Sequence, residues 1–150
     1  MTSHSISFKI CVKEVSYAVF RGQRLIFWET HSYLSTPEEN VKNAIGDIVR
    51  CLARFEPTAA ALQLFEGDDE DLQLRGEVKE TLRSLAIPIF EISEQELFDS
   101  FGLPTLKTRQ GLRQAVLSIF PQLETSRFMN SCLDAAALGL HFETSRILSA

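Results

Sequence analysis

The chain has 150 residues, of which 45% are hydrophobic and 23% are charged. This composition is typical of a globular protein and excludes a disordered chain, and the length predicts one domain spanning residues 1–150. The 20 acidic residues outnumber the 15 basic ones and give a net charge of −5, which argues against a surface that is cationic throughout but leaves a local basic face open.

The cysteines and histidines lack the spacing of a metal site. Cys11, Cys51 and Cys132 form no CxxC pair, and the three histidines are scattered, so we expect reduced and mostly buried thiols. No stretch approaches the ~20 apolar residues of a membrane span, and residues 1–10 contain no apolar signal core. We therefore expect a soluble cytoplasmic protein that makes no contact with a membrane.

The first third of the chain alternates in the manner of β-strands. Apolar and polar residues alternate from Ile6 to Lys13, and further apolar runs occupy residues 15–20 and 25–28. Only short turns separate these runs, and one of them contains Gly22. Three strands with such short connections predict an antiparallel meander.

The pattern then changes to the period of a helix. Thr36 is a suitable N-cap, Pro37 occupies the first helical position, and Glu39 is placed to close a capping box. Apolar residues recur on one face of this helix, which is expected to end before Pro57.

Two short strands and four more helices are predicted after it. In chain order they are a buried strand at 59–65, an acidic loop at 67–71, a helix through 74–85, an edge strand at 87–92, and helices over 93–102, about 109–120 and about 126–146. The predicted helix over 93–102 begins with a capping box of Ser93 and Glu96 and ends at Gly102. Helical crossovers join parallel strands, so the later strands should run parallel to the first.

This order of elements predicts an α/β fold with a five-stranded mixed sheet, three antiparallel strands and then two parallel ones, flanked by helices. It is the ribonuclease H-like arrangement, and several stretches resemble the RuvC-like Holliday-junction resolvases of that superfamily. They are residues 17–20 (YAVF), 64–66 (LFE), 87–92 (IPIFEI), 94–97 (EQEL), 106–116 (LKTRQGLRQAV) and 133–138 (LDAAAL). The resemblance covers nearly the whole chain.

The resemblance implies a site in which three or four carboxylates hold two Mg²⁺ ions for phosphodiester cleavage. Glu66 matches the family's glutamate at the end of the fourth strand, and Asp134 matches the last aspartate, on the closing helix. The acid expected one helical turn before Asp134 falls on Ser131, which is a poor ligand for Mg²⁺.

The first strand departs further from the family, because the Asp-Pro-Gly of the resolvases is missing. An ungapped count from Tyr17 places Lys9 at the position of the aspartate, and a shorter turn places Lys13 there instead. Glu14 is the only acid nearby. We therefore expect no metal or other cofactor, and we expect a lysine, first of all Lys9, to neutralise the charge of Glu66 and Asp134.

The best candidate for contact with nucleic acid is the basic cluster of Lys107, Arg109 and Arg113. Arg109 and Arg113 lie one turn apart on a predicted helix, and the resemblance implies phosphate contact there, although a solvated helix face is the more ordinary origin of such residues. Phe27 and Trp28 are candidates for stacking on bases or for packing within the sheet.

Three hypotheses for function follow. The leading one is a catalytically degenerate RuvC-like domain that serves as a binding or assembly module for nucleic acid, such as branched DNA, or for a protein. The second is an active Mg²⁺-dependent, structure-selective endonuclease whose site is rebuilt from Glu14, Glu66, Asp134 and an acid of residues 68–71. The third is a structural subunit that forms a homodimer. The endonuclease hypothesis predicts clustered carboxylates near the middle of the first strand, and the binding-module hypothesis predicts a lysine there.

Overall fold

The computed structural model describes residues 3–64, 68–102 and 108–149. The chain begins with an antiparallel meander of β1 (His4–Cys11), β2 (Glu14–Arg21) and β3 (Arg24–Ser32), as the alternating pattern predicts. The turn between β2 and β3 contains Gly22 at φ = 61°, a left-handed conformation that glycine adopts without strain.

The first helix, α1 (Pro37–Phe55), is capped as its sequence suggests but only in part. The backbone N–H of Glu39 donates to the Thr36 hydroxyl over 3.3 Å. The Glu39 carboxylate accepts a hydrogen bond from the Ser35 hydroxyl, so the expected reciprocal bond of a capping box is replaced by a neighbouring one. β4 (Ala59–Gln63) follows.

The acidic run that was expected to form a loop instead begins the next helix, α2 (Asp69–Ser84). The Asp68 carboxylate accepts a hydrogen bond from the backbone N–H of Asp71 and thereby caps the helix. Acidic residues in a first turn interact favourably with the positive end of the helix dipole, which explains their concentration here. Asp71 also accepts a hydrogen bond of 2.7 Å from the backbone N–H of Val12, and so ties α2 to the end of β1.

The rest of the chain is mainly helical. The elements are β5 (Ile89–Ile92), α3 (Glu94–Ser100), α4 (Arg109–Ile119), a 3₁₀ turn (Pro121–Thr125) and α5 (Met129–Ser149). The Ser93–Glu96 capping box at the start of α3 is complete, and Gly102 follows the end of α3 at φ = 62°, as the sequence predicts.

The five strands form one sheet in the order β3-β2-β1-β4-β5. β1 is antiparallel to β2 and parallel to β4, and β4 is parallel to β5, which lies at the edge. The predicted mixed sheet of three antiparallel and two parallel strands is therefore confirmed. Among the described segments, no helix is long and apolar enough to cross a membrane.

Helices cover both faces of the sheet and create two hydrophobic cores. Ile6, Phe8 and Ile10 of β1 pack with α1 and α2 on one face. The opposite face packs against α3, α4 and α5. Ser5 and Ser7, which alternate with these three in β1, are buried as well, because α5 lies over them: Ser5 is 1% exposed and Ser7 is fully buried.

The close approach of α5 to the sheet depends on Gly139. A Cβ atom at this position would overlap the ring of Phe20 and lie 2.9 Å from the Ser7 hydroxyl oxygen. The Ser7 hydroxyl also donates a hydrogen bond of 2.6 Å to the Ala135 carbonyl, one helical turn away. Glycine therefore allows helix and strand to come within hydrogen-bonding distance.

We expect Gly139→Ala to lower the free energy of unfolding by about 1–3 kcal/mol, because the added methyl group must displace packed atoms. Gly76→Ala in α2 is the matched control: its Cβ would meet nothing within 4 Å, and alanine is the better helix former by about 1 kcal/mol. Urea unfolding of both variants measures the difference. Equal stability of the two variants would contradict the packing constraint at Gly139.

Candidate functional site

Lys9 and Asp134 meet between β1 and the helix α5 that covers this face of the sheet. Lys9 projects from the middle of β1 towards α5, and Asp134 lies in the second turn of α5 with only 5% of its side chain exposed. The Lys9 Nζ atom donates a hydrogen bond of 2.6 Å to Oδ2 of Asp134. The strand position that the ungapped count identifies thus carries a cation in direct contact with the carboxylate on α5.

Two arginines of α4 complete the surroundings of this carboxylate. Arg113 donates from Nε to Oδ1 of Asp134 over 2.9 Å and from a terminal nitrogen to Oδ2 over 2.8 Å, which is the bidentate geometry that guanidinium and carboxylate prefer. Arg109 lies 3.7 Å from Oδ2 and donates over 2.6 Å to Glu94, at the start of α3. These five residues, Lys9, Glu94, Arg109, Arg113 and Asp134, form what we call the Asp134 cluster.

The cluster keeps Asp134 charged in spite of its burial. Burial by itself would raise the pKa of the Asp134 carboxyl, but the hydrogen bonds from Arg113 and the charge and hydrogen bond of Lys9 outweigh it and lower the pKa below its ordinary value. The Arg113 guanidinium responds in the opposite direction, because its hydrogen bonds to Asp134 raise its pKa. The ion pairs therefore persist at neutral pH.

The donor set does not fit the Mg²⁺ site that the resemblance implies. Both oxygens of Asp134 already accept hydrogen bonds from cations, and a metal ion there would face the Lys9 ammonium and the Arg113 guanidinium at short range. Across residues 3–64, 68–102 and 108–149, no group of three His, Cys, Asp or Glu side chains could hold a metal ion. Glu66, the other matched acid, lies outside the described residues.

The remaining candidates on β1 and β2 are placed differently. The Glu14 carboxylate accepts a hydrogen bond from the Ser131 hydroxyl. Ser131 stands where the resemblance implies a further acid on the closing helix, and here it is a hydrogen-bond donor. Lys13 is exposed in the turn between β1 and β2. The structure therefore brings Lys9, and not Lys13, to Asp134.

The three basic candidates divide in the same way. Lys107 lies outside the described residues, whereas Arg109 and Arg113 both turn towards Asp134. Arg113 is only 22% exposed and Arg109 is 41% exposed. A solvated helix face therefore does not describe Arg113, whose charge is compensated within the protein.

Glu94 is the member of the cluster that the sequence did not reveal. It is the first residue of α3, where an acid is expected for helix stability alone. Its ion pair with Arg109 arises because α3 and α4 both pack on α5, and no local spacing encodes that contact.

The aromatic residues of β3 are engaged in packing. The Trp28 indole N–H donates a hydrogen bond of 2.8 Å to the Ser126 hydroxyl, and its ring packs against the core beneath α5. Phe27 contacts Phe55 at 5.0 Å between ring centroids, with the Arg54 guanidinium above both rings. These contacts favour the packing interpretation over a platform for bases.

The three thiols are free, as expected. Burial is the largest influence on each of them and raises the pKa of Cys11, Cys51 and Cys132, that of Cys51 to about 12. Burial therefore disfavours the nucleophilic thiolate form of these cysteines.

Comparison with known proteins defines the class of fold. No protein-family model matches the sequence, and no curated protein matches it. Among solved structures, Thermus thermophilus RuvC in complex with Holliday junction substrate is similar with a TM-score of 0.78 and 17% identity, covering 97% of this chain and 96% of that one. The chain thus has the ribonuclease H-like fold.

Two further structures narrow the class. The fowlpox virus Holliday junction resolvase is similar with a TM-score of 0.65 and 16% identity over 95% of this chain and 99% of that one. For the yeast mitochondrial Holliday junction resolvase the TM-score is 0.68 and the identity 11%, over 99% of this chain and 81% of that one. Within the ribonuclease H-like class, the fold is that of RuvC and the other Holliday junction resolvases.

We expect Asp134→Asn to weaken the pH dependence of stability in acid. The unfolded chain binds a proton at the ordinary pKa of aspartate, whereas the folded chain keeps Asp134 charged to lower pH. The carboxylate's contribution is therefore complete above about pH 4 and is lost as the pH falls through the lowered pKa of the folded state.

Free energies of unfolding measured from about pH 2 to 7 test this expectation. At neutral pH the variant should be less stable by about 1–3 kcal/mol, because Lys9 and Arg113 lose a charged acceptor. Below about pH 4 the slope of its unfolding free energy against pH should be smaller than that of the wild type, by up to the equivalent of about one bound proton. Parallel curves for the two proteins would show that Asp134 is not held charged by the cluster.

Proposed function

We propose that this chain is a RuvC-fold domain that binds branched nucleic acid without cutting it. The observation that carries the proposal is the Asp134 cluster, in which side-chain cations surround the carboxylate that matches the last catalytic aspartate of the resolvases. The cluster supports a site stabilised by lysine and arginine, and it argues against one organised by metal ions.

Lys9 is central to this proposal because of its chemistry as well as its position. An ammonium group on a flexible stem can approach a buried carboxylate closely and donate up to three hydrogen bonds. Together with Arg113 it balances the charge of Asp134, but an ammonium group cannot activate a water molecule as a divalent cation does. A site with Lys9 in this position therefore has a balanced carboxylate at Asp134 but no metal-activated water to act as the nucleophile for cleavage.

Branched DNA is the partner that the comparisons favour. The RuvC structure is described in complex with a Holliday junction substrate, and a fowlpox virus resolvase is described in complex with Holliday junction DNA. The shared fold and the cations of β1 and α4 support a similar ligand here. The net charge of −5 argues for weak binding, and the few cations on offer to phosphates argue for a shallow dependence on salt, since each phosphate contact adds about one unit to the slope.

We expect the purified protein to show no Mg²⁺- or Mn²⁺-dependent cleavage of four-way junctions, flaps or RNA–DNA hybrids, because metal-bound water is the nucleophile in that chemistry. Gel analysis of labelled substrates measures it. Site-specific cutting that disappears in both Glu66→Gln and Asp134→Asn would favour the rebuilt endonuclease instead. The two substitutions together separate cutting by this chain from cutting by a contaminant.

The substitution of Lys9 tests whether lysine replaces the charge of a metal ion. Lys9→Met should lower the free energy of unfolding by about 1–3 kcal/mol, because it leaves a buried carboxylate with one partner fewer. Lys9→Asp should lower it further, since it places two carboxylates side by side, and Mg²⁺ should recover part of that loss. Urea midpoints with and without Mg²⁺ measure both effects.

Lys13→Asp is the matched control for this series. It makes the same change of charge four residues away, at an exposed position, and should stay within about 0.5 kcal/mol of the wild type with or without Mg²⁺. An equal Mg²⁺ response of the Lys9→Asp and Lys13→Asp variants would show that Lys9 has no particular place in the site.

A further inference from the structure

We infer that Asp134 is an internal competitor for phosphate: its carboxylate occupies the lysine and arginines that a backbone phosphodiester of nucleic acid would otherwise bind. The inference rests on the proposed binding of nucleic acid, and it means that the carboxylate lowers the affinity of the site for phosphate. It turns on what the carboxylate does to the cations around it.

The depth of each group supports this arrangement. Asp134 is 5% exposed, whereas Lys9 and Arg113 are 23% and 22% exposed and Arg109 is 41% exposed. The carboxylate thus lies beneath its cations, which form the part of the cluster nearer to water. A ligand that approaches from solvent meets the guanidinium groups before it meets the acid.

The geometry of the contacts supports it as well. Arg113 holds Asp134 through two parallel N–H···O bonds, the same fork that guanidinium offers to a phosphate. A phosphodiester has two unesterified oxygens and one negative charge, which makes it a close counterpart of a carboxylate for such a donor. The two anions therefore compete for the same hydrogen bonds.

The charge balance of the Asp134 cluster determines how much positive charge is available to a phosphate. The cluster contains three cationic and two anionic side chains, so one positive charge is uncompensated among its members. Arg109 and Glu94, at 41% and 45% exposure, form the pair closest to solvent, where ion pairs are weak and a phosphate can most readily displace the acid.

The inference makes a prediction opposite to that for a metal site. Where carboxylates bind the metal ions that hold a phosphate, removing a carboxylate weakens the site. Here, Asp134→Asn should release Lys9 and Arg113 and strengthen binding. Glu94→Gln should release Arg109 in the same way, and its exposed position makes it the variant that keeps the fold if Asp134→Asn does not.

Fluorescence anisotropy of a labelled four-way junction, in EDTA and over a series of salt concentrations, tests this inference. Asp134→Asn should bind about tenfold more tightly than the wild type, and its slope of log K against log salt should be steeper by about one to two units. Glu94→Gln should increase the slope by about one unit.

Glu80→Gln is the matched control. It makes the same change of charge in α2, which packs on the opposite face of the sheet, where Glu80 pairs with Arg83 at the surface. Its affinity and slope should equal those of the wild type. A gain as large as that of Glu94→Gln would assign the effect to net charge and overturn the inference.

The remaining outcomes separate the inference from the proposed function. Binding by the wild type that is unchanged in Asp134→Asn and Glu94→Gln would overturn the inference and leave the proposed function in place. Absence of binding by the wild type together with binding by either site variant would support it. Absence of binding by all folded variants would overturn both.

Discussion

The contact between β1 and α5 is the constraint on which the rest of the structure depends. β1 lies at the centre of the sheet, and its α5 side carries serine and lysine where such a strand is ordinarily apolar. Burial of these groups is tolerable only when each finds a partner. Ser5 donates to Glu143 over 2.6 Å, Ser7 donates to the Ala135 carbonyl, and Lys9 pairs with Asp134. Within the described part of the chain, no buried side-chain nitrogen or oxygen lacks a partner.

This contact explains both the composition of α5 and the place of the site. Ala135, Ala136, Ala137 and Gly139 are small, so that the helix backbone can lie within reach of the short serine side chains. The longer lysine pairs instead with a side chain one residue before the alanines. The Asp134 cluster is thus one end of a polar seam between strand and helix, and α4 contributes its arginines by packing on the same helix.

Much of the fold could be predicted from local signals, because alternation, caps and Gly22 act within a few residues of one another. Lys9 could be placed by counting along one strand. The sequence predicts a loop for the acidic residues 68–71 because the same residue types favour loops and helix N-termini. The hydrogen bond from the Asp71 backbone N–H to the Asp68 carboxylate shows that they begin a helix. The engagement of Asp134 by Arg113 could not be predicted, since it depends on how α4 packs against α5, and spacing along the chain carries no record of that.

The polar seam also bears on how the chain folds as it leaves the ribosome. The bonds from β1 to α5 join residues 125 to 138 positions apart, so this face of the strand stays uncovered until the last helix has emerged. The apolar side of β1 is covered by α1, which is synthesised soon after the meander. A nascent chain therefore shelters its apolar strand face early, and what it displays for longest on β1 is hydroxyl and ammonium. The groups of β1 that wait longest for their cover are therefore polar, whereas Ala18 and Phe20 of β2 wait on the same face as apolar surface.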